Sequence, residues 1–487
     1  MDLLNNTKVE KIRRPIRVLQ FGEGNFLRGF ADYMIDIANE KGCFHGDIVA
    51  VKPTESYRNV EYFRQQDCRF TVTLRGIVNG KEQQETRIIT SVADIVHPYR
   101  DYKRYSEYAA LDTLRFIISN TTEAGIVYDE TDWLELEPPR SYPGKLTKFL
   151  YERFQHFNGD VKKGLIILPV ELIEENGVQL KNIVRKLGKQ WGLEAAFLQW
   201  LEEACIFCNT LVDRIITGFP TEEAEAIWRK LGYRDNLLVT GEPFGLWVIE
   251  SERPIEEEFP LHRAGQPVIF TDDQTPYRLR KVRILNGAHS SFALASYLAG
   301  NDYVLESMKD EEIRGFIDAV VQKEILPALD LSKEDMLSYA ASVMDRFENP
   351  YNKHSLLSIS LNSIAKWKVR ILPSILGFLE KKGSLPACLT FSMAALIQFY
   401  SGEKFRESTL IAHREEAEYP VLDDKEVLEF FCRHSQEEPK QLVPCVLAEE
   451  TFWETNLNDI PGFTKKVTGY LKDIRSNGMR NAVRKVN

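Results

Sequence analysis

Short apolar runs and longer helical patterns alternate over the first half of the chain. The apolar runs are Ile16–Phe21, Asp47–Val51, Phe70–Leu74, Arg115–Ser119 and Gly164–Pro169. A helical pattern follows the first of them and starts near Asn25. Strands that alternate with helices usually form a mostly parallel sheet with helices on both faces. The first half is therefore predicted to be a doubly wound α/β domain.

The pattern changes near residue 270, after which helical periodicity dominates and strand signals vanish. Helices are predicted over residues 276–299, 311–325, 333–347, 353–379 and 386–400. Pro350, Pro373 and Pro386 punctuate these segments. We therefore expect two domains, residues 1–270 and 271–487, the second mainly α-helical.

A loop with two glycines, Gly22-Glu23-Gly24-Asn25-Phe26-Leu27, joins the first strand to its helix. Dinucleotide-binding folds place their pyrophosphate loop at this point. Gly22 would permit the tight turn, and Gly24 would let the main chain approach the phosphates. Leu27 stands where a third glycine is expected, so an ordinary strand-to-helix turn remains the alternative. Gly22, Gly24, Asn25, Phe26 and Leu27 are the predicted phosphate-binding residues.

Two further segments follow predicted strands, where open α/β sheets bind ligands. After the second strand, Glu55 could accept the ribose hydroxyls of NAD, whereas Lys52 could attract the extra phosphate of NADP. We favour NAD, because a carboxylate would repel that phosphate. Asn120 and Thr121 follow the fourth strand and are further candidates for cofactor binding, with a simple polar turn as the alternative.

Charge and composition narrow the class of protein. The 487 residues carry a net charge of -10, which argues against nucleic acid and anionic membranes as main partners. The start of the chain lacks a signal peptide, and the seven cysteines fit reduced thiols, so we expect a cytoplasmic protein. Cys205 and Cys208 have CxxC spacing without a second pair, which is weak evidence for zinc. The sequence does not determine whether the chain forms a homo-oligomer.

Three polar residues of catalytic type, Lys281, Asn286 and His289, interrupt the apolar pattern of the helix predicted over residues 276–299. At about 100° per residue they fall within roughly 140° of one another, so they share one face. Such a trio can hold and protonate a carbonyl oxygen without a metal. The alternative is a chance grouping on a half-exposed helix.

The spacing of this trio resembles the signature of the mannitol dehydrogenase family of long-chain polyol and sugar-acid dehydrogenases: Lys, four residues, Asn, two residues, His. Similar segments cover most of the chain: Phe21–Arg28, Ser119–Gly125, Leu211–Ile215 and Arg346–Pro350. The resemblance implies an N-terminal Rossmann-type domain, a helical C-terminal domain, and metal-independent hydride transfer with NAD. It also implies that Lys281 is the general acid and base, that Asn286 binds the reacting oxygen, and that His289 orients Lys281 or a substrate hydroxyl.

The resemblance further implies a sugar-acid substrate, D-tagaturonate, which would be reduced to D-altronate during hexuronate breakdown. Candidate partners for its carboxylate are Lys366, His354 and Arg370 on one helical stretch, together with Arg214. One departure from the family pattern is Glu171-Leu172, at the place where mannitol dehydrogenases have Asp-Asn. Alternatives are a fructuronate reductase or mannitol dehydrogenase of the same family, an inactive NAD-binding regulator, and a zinc dehydrogenase using Cys205 and Cys208.

Overall fold

The computed structural model describes residues 1–10, 12–122 and 124–487. Two compact units divide the chain: unit 1 comprises residues 1–76 and 82–275, and unit 2 comprises residues 77–81 and 276–487. The division after Thr275 lies close to the predicted one after residue 270.

A six-stranded sheet forms the centre of unit 1. Its strands, in chain order, are β1 (Ile16–Phe21), β2 (Asp47–Val51), β3 (Val92–Val96), β4 (Phe116–Ser119), β5 (Ile166–Pro169) and β6 (Ile206–Phe207). All neighbours are parallel, in the order β3-β2-β1-β4-β5-β6. This is the strand order of Rossmann folds, whose ligands bind where the order reverses, beside the carboxyl ends of β1 and β4.

Both faces of this sheet are buried, as the near-continuous apolar strands require. Along β1, Val18 packs into one hydrophobic cluster, whereas Leu19 and Phe21 pack into another. The first cluster includes the helical stretch that follows β1, and the second includes the helices Tyr142–His156 and Asn176–Gln190. The predicted doubly wound α/β architecture is confirmed.

One predicted strand was assigned to the wrong sheet. Phe70–Val78 belongs to a separate four-stranded sheet, in which it pairs with Lys81–Ile89 and, in parallel, with Val239–Gly241. The true outer neighbour of β2 is β3, a strand that apolar periodicity did not predict. Phe70–Val78 gave the stronger apolar signal, but strand order is decided by pairing between distant segments, which apolar periodicity does not report.

Unit 1 contains further short elements. Its remaining strands are Asn209–Asp213, Ile216–Gly218, Leu246–Glu250 and Val268–Thr271. Its helical segments are Asn25–Leu27, Arg28–Asp32, Tyr33–Glu40, Val60–Gln65, Tyr102–Glu107, Tyr108–Ala110, Tyr142–His156, Val161–Lys163, Asn176–Gln190, Ala195–Ala204, Ala224–Leu231 and Leu261–Ala264. The first three follow one another without a break, and Arg28–Asp32 is π-helical.

Unit 2 is mainly helical, as predicted. From the division onward its segments are Thr275–Arg280, Lys281–Asn286, Gly287–Leu298, Val304–Lys309, Glu311–Asp318, Ala319–Ile325, Leu326–Ala328, Lys333–Phe347, Leu356–Ile359, Ser363–Arg370, Leu372–Lys382, Ala387–Phe399, Lys425–Arg433, Pro439–Ala448, Glu450–Trp453, Leu457–Asp459, Phe463–Asn477 and Met479–Val486. Ala387–Phe399 is buried almost all round and packs against Gly287–Leu298 and Phe463–Asn477. Within the described residues, no helix is long and apolar enough to cross a membrane.

Two predictions for unit 2 were wrong in detail. The stretch predicted as one helix over residues 353–379 is broken into Leu356–Ile359, Ser363–Arg370 and Leu372–Lys382, with Asn362 at a positive φ of 50° before the second. Strands also return late in the chain, because residues 404–421 form a three-stranded antiparallel sheet. Its outer strands are short and largely exposed, so they carry little apolar signal.

Candidate active site

The loop after β1 is fixed between the two neighbouring strands. The Gly22 N–H donates to the Val51 carbonyl at 3.0 Å, and the Asn120 N–H donates to the Phe21 carbonyl at 3.0 Å. Gly22 has a φ of 125°, and a Cβ there would lie 2.8 Å from Leu27 Cδ1 and 3.1 Å from the Asn120 oxygen. Both the conformation and the close contacts therefore require glycine at this turn.

Gly24 has a different reason to be glycine. It precedes the helical stretch that starts at Asn25, its φ is -70°, and no side chain caps the helix there. A Cβ on Gly24 would meet no atom within 4 Å. The main-chain N–H groups at this helix start are thus open to a ligand, as a pyrophosphate requires. These features fit a bound dinucleotide.

The other predicted phosphate-binding residues have packing or anchoring contacts. Leu27, which replaces the third glycine, is 1% exposed in the core, and Phe26 stacks on Phe30. Asn25 accepts a 2.6 Å hydrogen bond from Arg28 through its side-chain oxygen. The side chains of Leu27 and Phe26 therefore pack within the protein and support the loop. The groups that remain to bind the phosphates are the main-chain atoms of the loop.

A buried ion pair lies between this loop and the end of β2. Lys52, the residue after β2, donates to Glu23 Oε1 at 2.6 Å, and their side chains are 11% and 6% exposed. Asn59 Nδ2 is 3.4 Å from the same oxygen. Glu55 is an exposed residue further along, whose carbonyl oxygen lies 3.2 Å from His97 Nε2. The partner of Lys52 is thus Glu23, which lies 29 residues away in the sequence and was not predicted.

The segment after β4 is held by one buried carboxylate. Glu171 is 2% exposed, and its Oε1 accepts hydrogen bonds from the main chain and the hydroxyl of Thr121, both at 2.9 Å. Its Oε2 accepts from the Ser119 hydroxyl at 3.1 Å, and burial raises its pKa. Asn120 donates to the Val170 carbonyl at 3.2 Å. Glu171, the residue that departs from the family pattern, thus fixes the segment where the cofactor is predicted to bind. Glu123, in the segment Ser119–Gly125, lies outside the described residues.

The predicted catalytic trio begins on a π-helical segment, Lys281–Asn286, within unit 2. The Gly287 N–H donates to the Val282 carbonyl, five residues back. Because i→i+5 bonding replaces i→i+4, Asn286 lies about 40° around the axis from Lys281 instead of about 140°. With His289 one α-helical turn further on, the three residues fall within about 60°. The face they share is narrower than a regular α-helix would give.

His289 is buried and neutral. It is 8% exposed, and its ring centroid lies 4.4 Å from that of Phe347 and 5.0 Å from that of His354. Burial lowers its pKa well below the usual 6.5, and the charges that act on it, from His354, Arg346 and Arg370, lower it further. Its Nε2 has no hydrogen-bond partner among the described residues. A buried polar atom of this kind is suited to a substrate hydroxyl.

Basic groups surround His289. We call Arg346, His354, Lys366 and Arg370 the basic cluster. Lys366 Nζ donates to the Ile359 carbonyl at 3.0 Å, and Arg370 donates to the Ser290 hydroxyl at 3.1 Å. Burial lowers the pKa of both side chains. Three of these residues are predicted substrate contacts, whereas Arg346, the first residue of the segment Arg346–Pro350, was not predicted to be one.

Arg214, which the sequence offers as a substrate residue, is anchored within unit 1, and its role in substrate binding stays a prediction. It lies in unit 1, 7% exposed, and donates to the carbonyls of Gly29, Phe244 and Pro243 at 3.0, 2.8 and 3.3 Å. Its guanidinium also lies over the rings of Phe30 and Tyr33. Three of the five N–H donors of the guanidinium are thus used by main-chain carbonyls, which anchor the side chain within unit 1.

Cys205 and Cys208 are buried thiols. Burial raises the pKa of each to about 12, so both stay protonated at neutral pH. A zinc site needs three or four protein ligands, and these two thiols would supply only two. Within the described parts of the chain, no three His, Cys, Asp or Glu side chains form a metal-binding group.

Similarity to solved structures agrees with this architecture. D-sorbitol dehydrogenase in its substrate-free form superimposes with a TM-score of 0.82 at 22% identity, over 99% of this chain and 100% of that one. Pseudomonas fluorescens mannitol 2-dehydrogenase, in ternary complex with NAD and D-mannitol, gives 0.71 at 20% identity, over 100% and 99%. At these identities the likeness concerns the fold.

Sequence comparison identifies the family. The model of the mannitol dehydrogenase Rossmann domain matches residues 16–262, and that of the mannitol dehydrogenase C-terminal domain matches residues 273–475. Altronate oxidoreductase of Escherichia coli O139:H28 is 42% identical over 491 residues, 99% of each chain, as is that of Shigella flexneri. The chain therefore belongs to the mannitol dehydrogenase family, as its catalytic spacing predicted.

Proposed function

We propose that the protein reduces D-tagaturonate to D-altronate with NADH and catalyses the reverse reaction with NAD. The prediction of an NAD-dependent oxidoreductase is confirmed by the family. The full-length similarity to altronate oxidoreductases supports this substrate. The observation that carries the proposal is the basic surroundings of the buried His289: its ring centroid lies 5.0 Å from that of His354, Arg370 donates to the neighbouring Ser290 hydroxyl, and the charges of Arg346 and Arg370 lower its pKa. A ketouronate carries the carboxylate that such a cluster would bind, whereas a neutral ketose does not.

In the proposed mechanism, NADH bound at the loop after β1 would supply the hydride for the ketone carbon. Lys281 donates a proton to the oxygen on which negative charge develops, and Asn286 donates a hydrogen bond to the same oxygen. His289 accepts a hydrogen bond from a substrate hydroxyl through Nε2 and thereby orients the sugar. In the oxidative direction, the Lys281 amine takes the proton from the alcohol.

Gly22, Gly24 and Asn25 would hold the pyrophosphate, with Asn120 and Thr121 at the adjoining sheet edge. The basic cluster would hold the carboxylate, with Lys366, His354 and Arg370 as candidate partners. We propose a cytoplasmic enzyme, since the seven cysteines form no disulfide bond in the described residues, which fits a reducing compartment.

The test is a comparison of turnover on three ketoses. The purified protein is assayed for NADH oxidation with D-tagaturonate, D-fructuronate and D-fructose, and for NAD reduction with D-altronate. We expect the highest kcat/KM on D-tagaturonate and the lowest on D-fructose. A preference for D-fructuronate would instead identify a sister reductase, and a preference for D-fructose would refute a sugar-acid substrate. Absence of turnover with normal NADH binding would favour an inactive regulator.

A further inference from the structure

The strongest unassigned feature is the buried pair between Glu23 and Lys52. Rossmann folds that bind NAD usually have a carboxylate after the second strand, which accepts the adenosine ribose hydroxyls. In this chain the residue directly after β2 is Lys52, and its N–H donates to the Val96 carbonyl at 2.8 Å. The charge at this point is therefore opposite to that expected for NAD binding.

Glu23 reverses that charge from the neighbouring loop. It lies between Gly22 and Gly24, and the Gly22 N–H bond to the Val51 carbonyl holds the loop beside the end of β2. Both side-chain donors, the Lys52 ammonium and the Asn59 amide, bind Oε1 of Glu23. Oε2 is the oxygen that these donors do not use. A carboxylate with one oxygen held by a lysine can present the other to a ligand hydroxyl.

We propose that Glu23 is the residue that selects NAD over NADP. It does so by neutralising Lys52 and by accepting a hydrogen bond from the ribose 2′-hydroxyl. An unneutralised Lys52 would attract the 2′-phosphate of NADP, whereas the Glu23 carboxylate repels it. This role differs from that predicted for Glu55, whose side chain is exposed. The proposal rests on NAD as cofactor and holds whichever sugar is the substrate.

The experiment measures binding of NADH and NADPH to the substrate-free protein by calorimetric titration. Glu23→Gln keeps the shape of the side chain and removes its charge. We expect the ratio of the NADPH to the NADH dissociation constant to fall by about ten- to a hundredfold, the range of one charge-assisted hydrogen bond. Glu61→Gln, an exposed glutamate on the next helix, is the matched control and should leave the ratio unchanged.

Two more variants separate the charge of Lys52 from other effects. In Glu23→Gln/Lys52→Met the gain in NADPH binding should disappear, because no ammonium remains. If Glu23→Gln does not fold, Lys52→Gln provides the test, since an unneutralised Glu23 should weaken NADPH binding still further. An unchanged ratio in Glu23→Gln, tighter NADPH binding by Lys52→Gln, or a shift confined to Glu55→Gln would each overturn the proposal. Because no turnover is measured, a wrong sugar substrate would not affect the result.

Discussion

The cofactor loop of unit 1 and the catalytic helix of unit 2 each contain a π-helical segment beside the functional residues, yet they arrange charge in opposite ways. In the loop, Arg28 is 4% exposed, and the charges that act on it, from Asp235, Asp32 and Glu23, are all acidic. Lys52 is likewise paired with Glu23. Around His289, in contrast, the acting charges are all basic.

This difference indicates how each region would bind an anionic ligand. Where side-chain charges cancel, the phosphates of a dinucleotide must be bound by main-chain N–H groups, and the open helix start at Gly24 provides them. Where the charges that act on a buried side chain are basic, as at His289, an anionic substrate supplies the missing charge. Variants of the catalytic helix should therefore alter turnover and sugar binding and leave NADH binding intact.

The largest expected effect is that of Lys281→Ala. Removing the general acid should lower kcat by at least about a thousandfold, while the NADH dissociation constant stays near the wild-type value. Steady-state turnover and NADH titration give the two quantities. Lys309→Ala, an exposed lysine in the same unit, is the matched control. Full activity of Lys281→Ala would refute the mechanism, and a parallel loss of NADH binding would refute the separation of the two regions.

Asn286→Ala should have the next largest effect. If Asn286 donates to the developing oxyanion, kcat and kcat/KM should both fall by about a hundred- to a thousandfold, or roughly 2.7 to 4 kcal/mol of barrier. Single-turnover kinetics measure this step directly. Asn481→Ala, exposed on the last helix, serves as control. A loss of less than about tenfold would give Asn286 a structural role.

Two lysines of one helix distinguish a direct contact with the substrate carboxylate from a general effect of positive charge. Lys366 lies in the basic cluster, whereas Lys368, two residues on, is paired with Glu454 at 2.7 Å. Lys366→Ala should raise KM for D-tagaturonate by about ten- to a hundredfold, since a charge-assisted hydrogen bond contributes about 1.5 to 3 kcal/mol. Its effect on D-fructose should be slight, and Lys368→Ala should change neither. An equal increase in KM for both sugars would indicate that His354 or Arg370, and not Lys366, binds the carboxylate.

The sequence predicted the elements of the sheet better than their arrangement. The strands β1, β2, β4 and β5 follow from apolar runs, because each is buried on both faces. The position of β3 at the edge depends on pairing with β2, which no local pattern reports. The family resemblance supplied the expectation of a Rossmann-type fold.

The candidate site was predicted by residue type and not by geometry. The spacing of Lys281, Asn286 and His289 identified them as candidates. Their narrow alignment on one face was not predicted, because apolar periodicity does not distinguish a π-helical segment from an α-helix. The pairing of Glu23 with Lys52 and the anchoring of Thr121 by Glu171 join residues far apart in sequence. Contacts of this kind require the folded chain.

The smallest expected effect concerns stability and follows from the burial of His289. Its pKa lies well below 6.5 in the folded protein, whereas the unfolded chain has the usual value of 6.5. As the pH falls below about 6.5, the unfolded state binds the proton first, so stability is full above that pH and declines below it. The slope is at most about 1.4 kcal/mol per pH unit for this one group.

Urea unfolding without ligands, at about pH 7.5 and about pH 5.5, measures this loss. His289→Gln should lose less stability between the two conditions than the wild type, because its side chain does not titrate. Some loss should remain, since burial also lowers the pKa of His354. His45→Gln, at an exposed position, should behave as the wild type. If His289→Gln lost as much stability as the wild type, His289 would not be buried in its neutral form, and the contrast between the acidic and basic surroundings of the two regions would lose its main support.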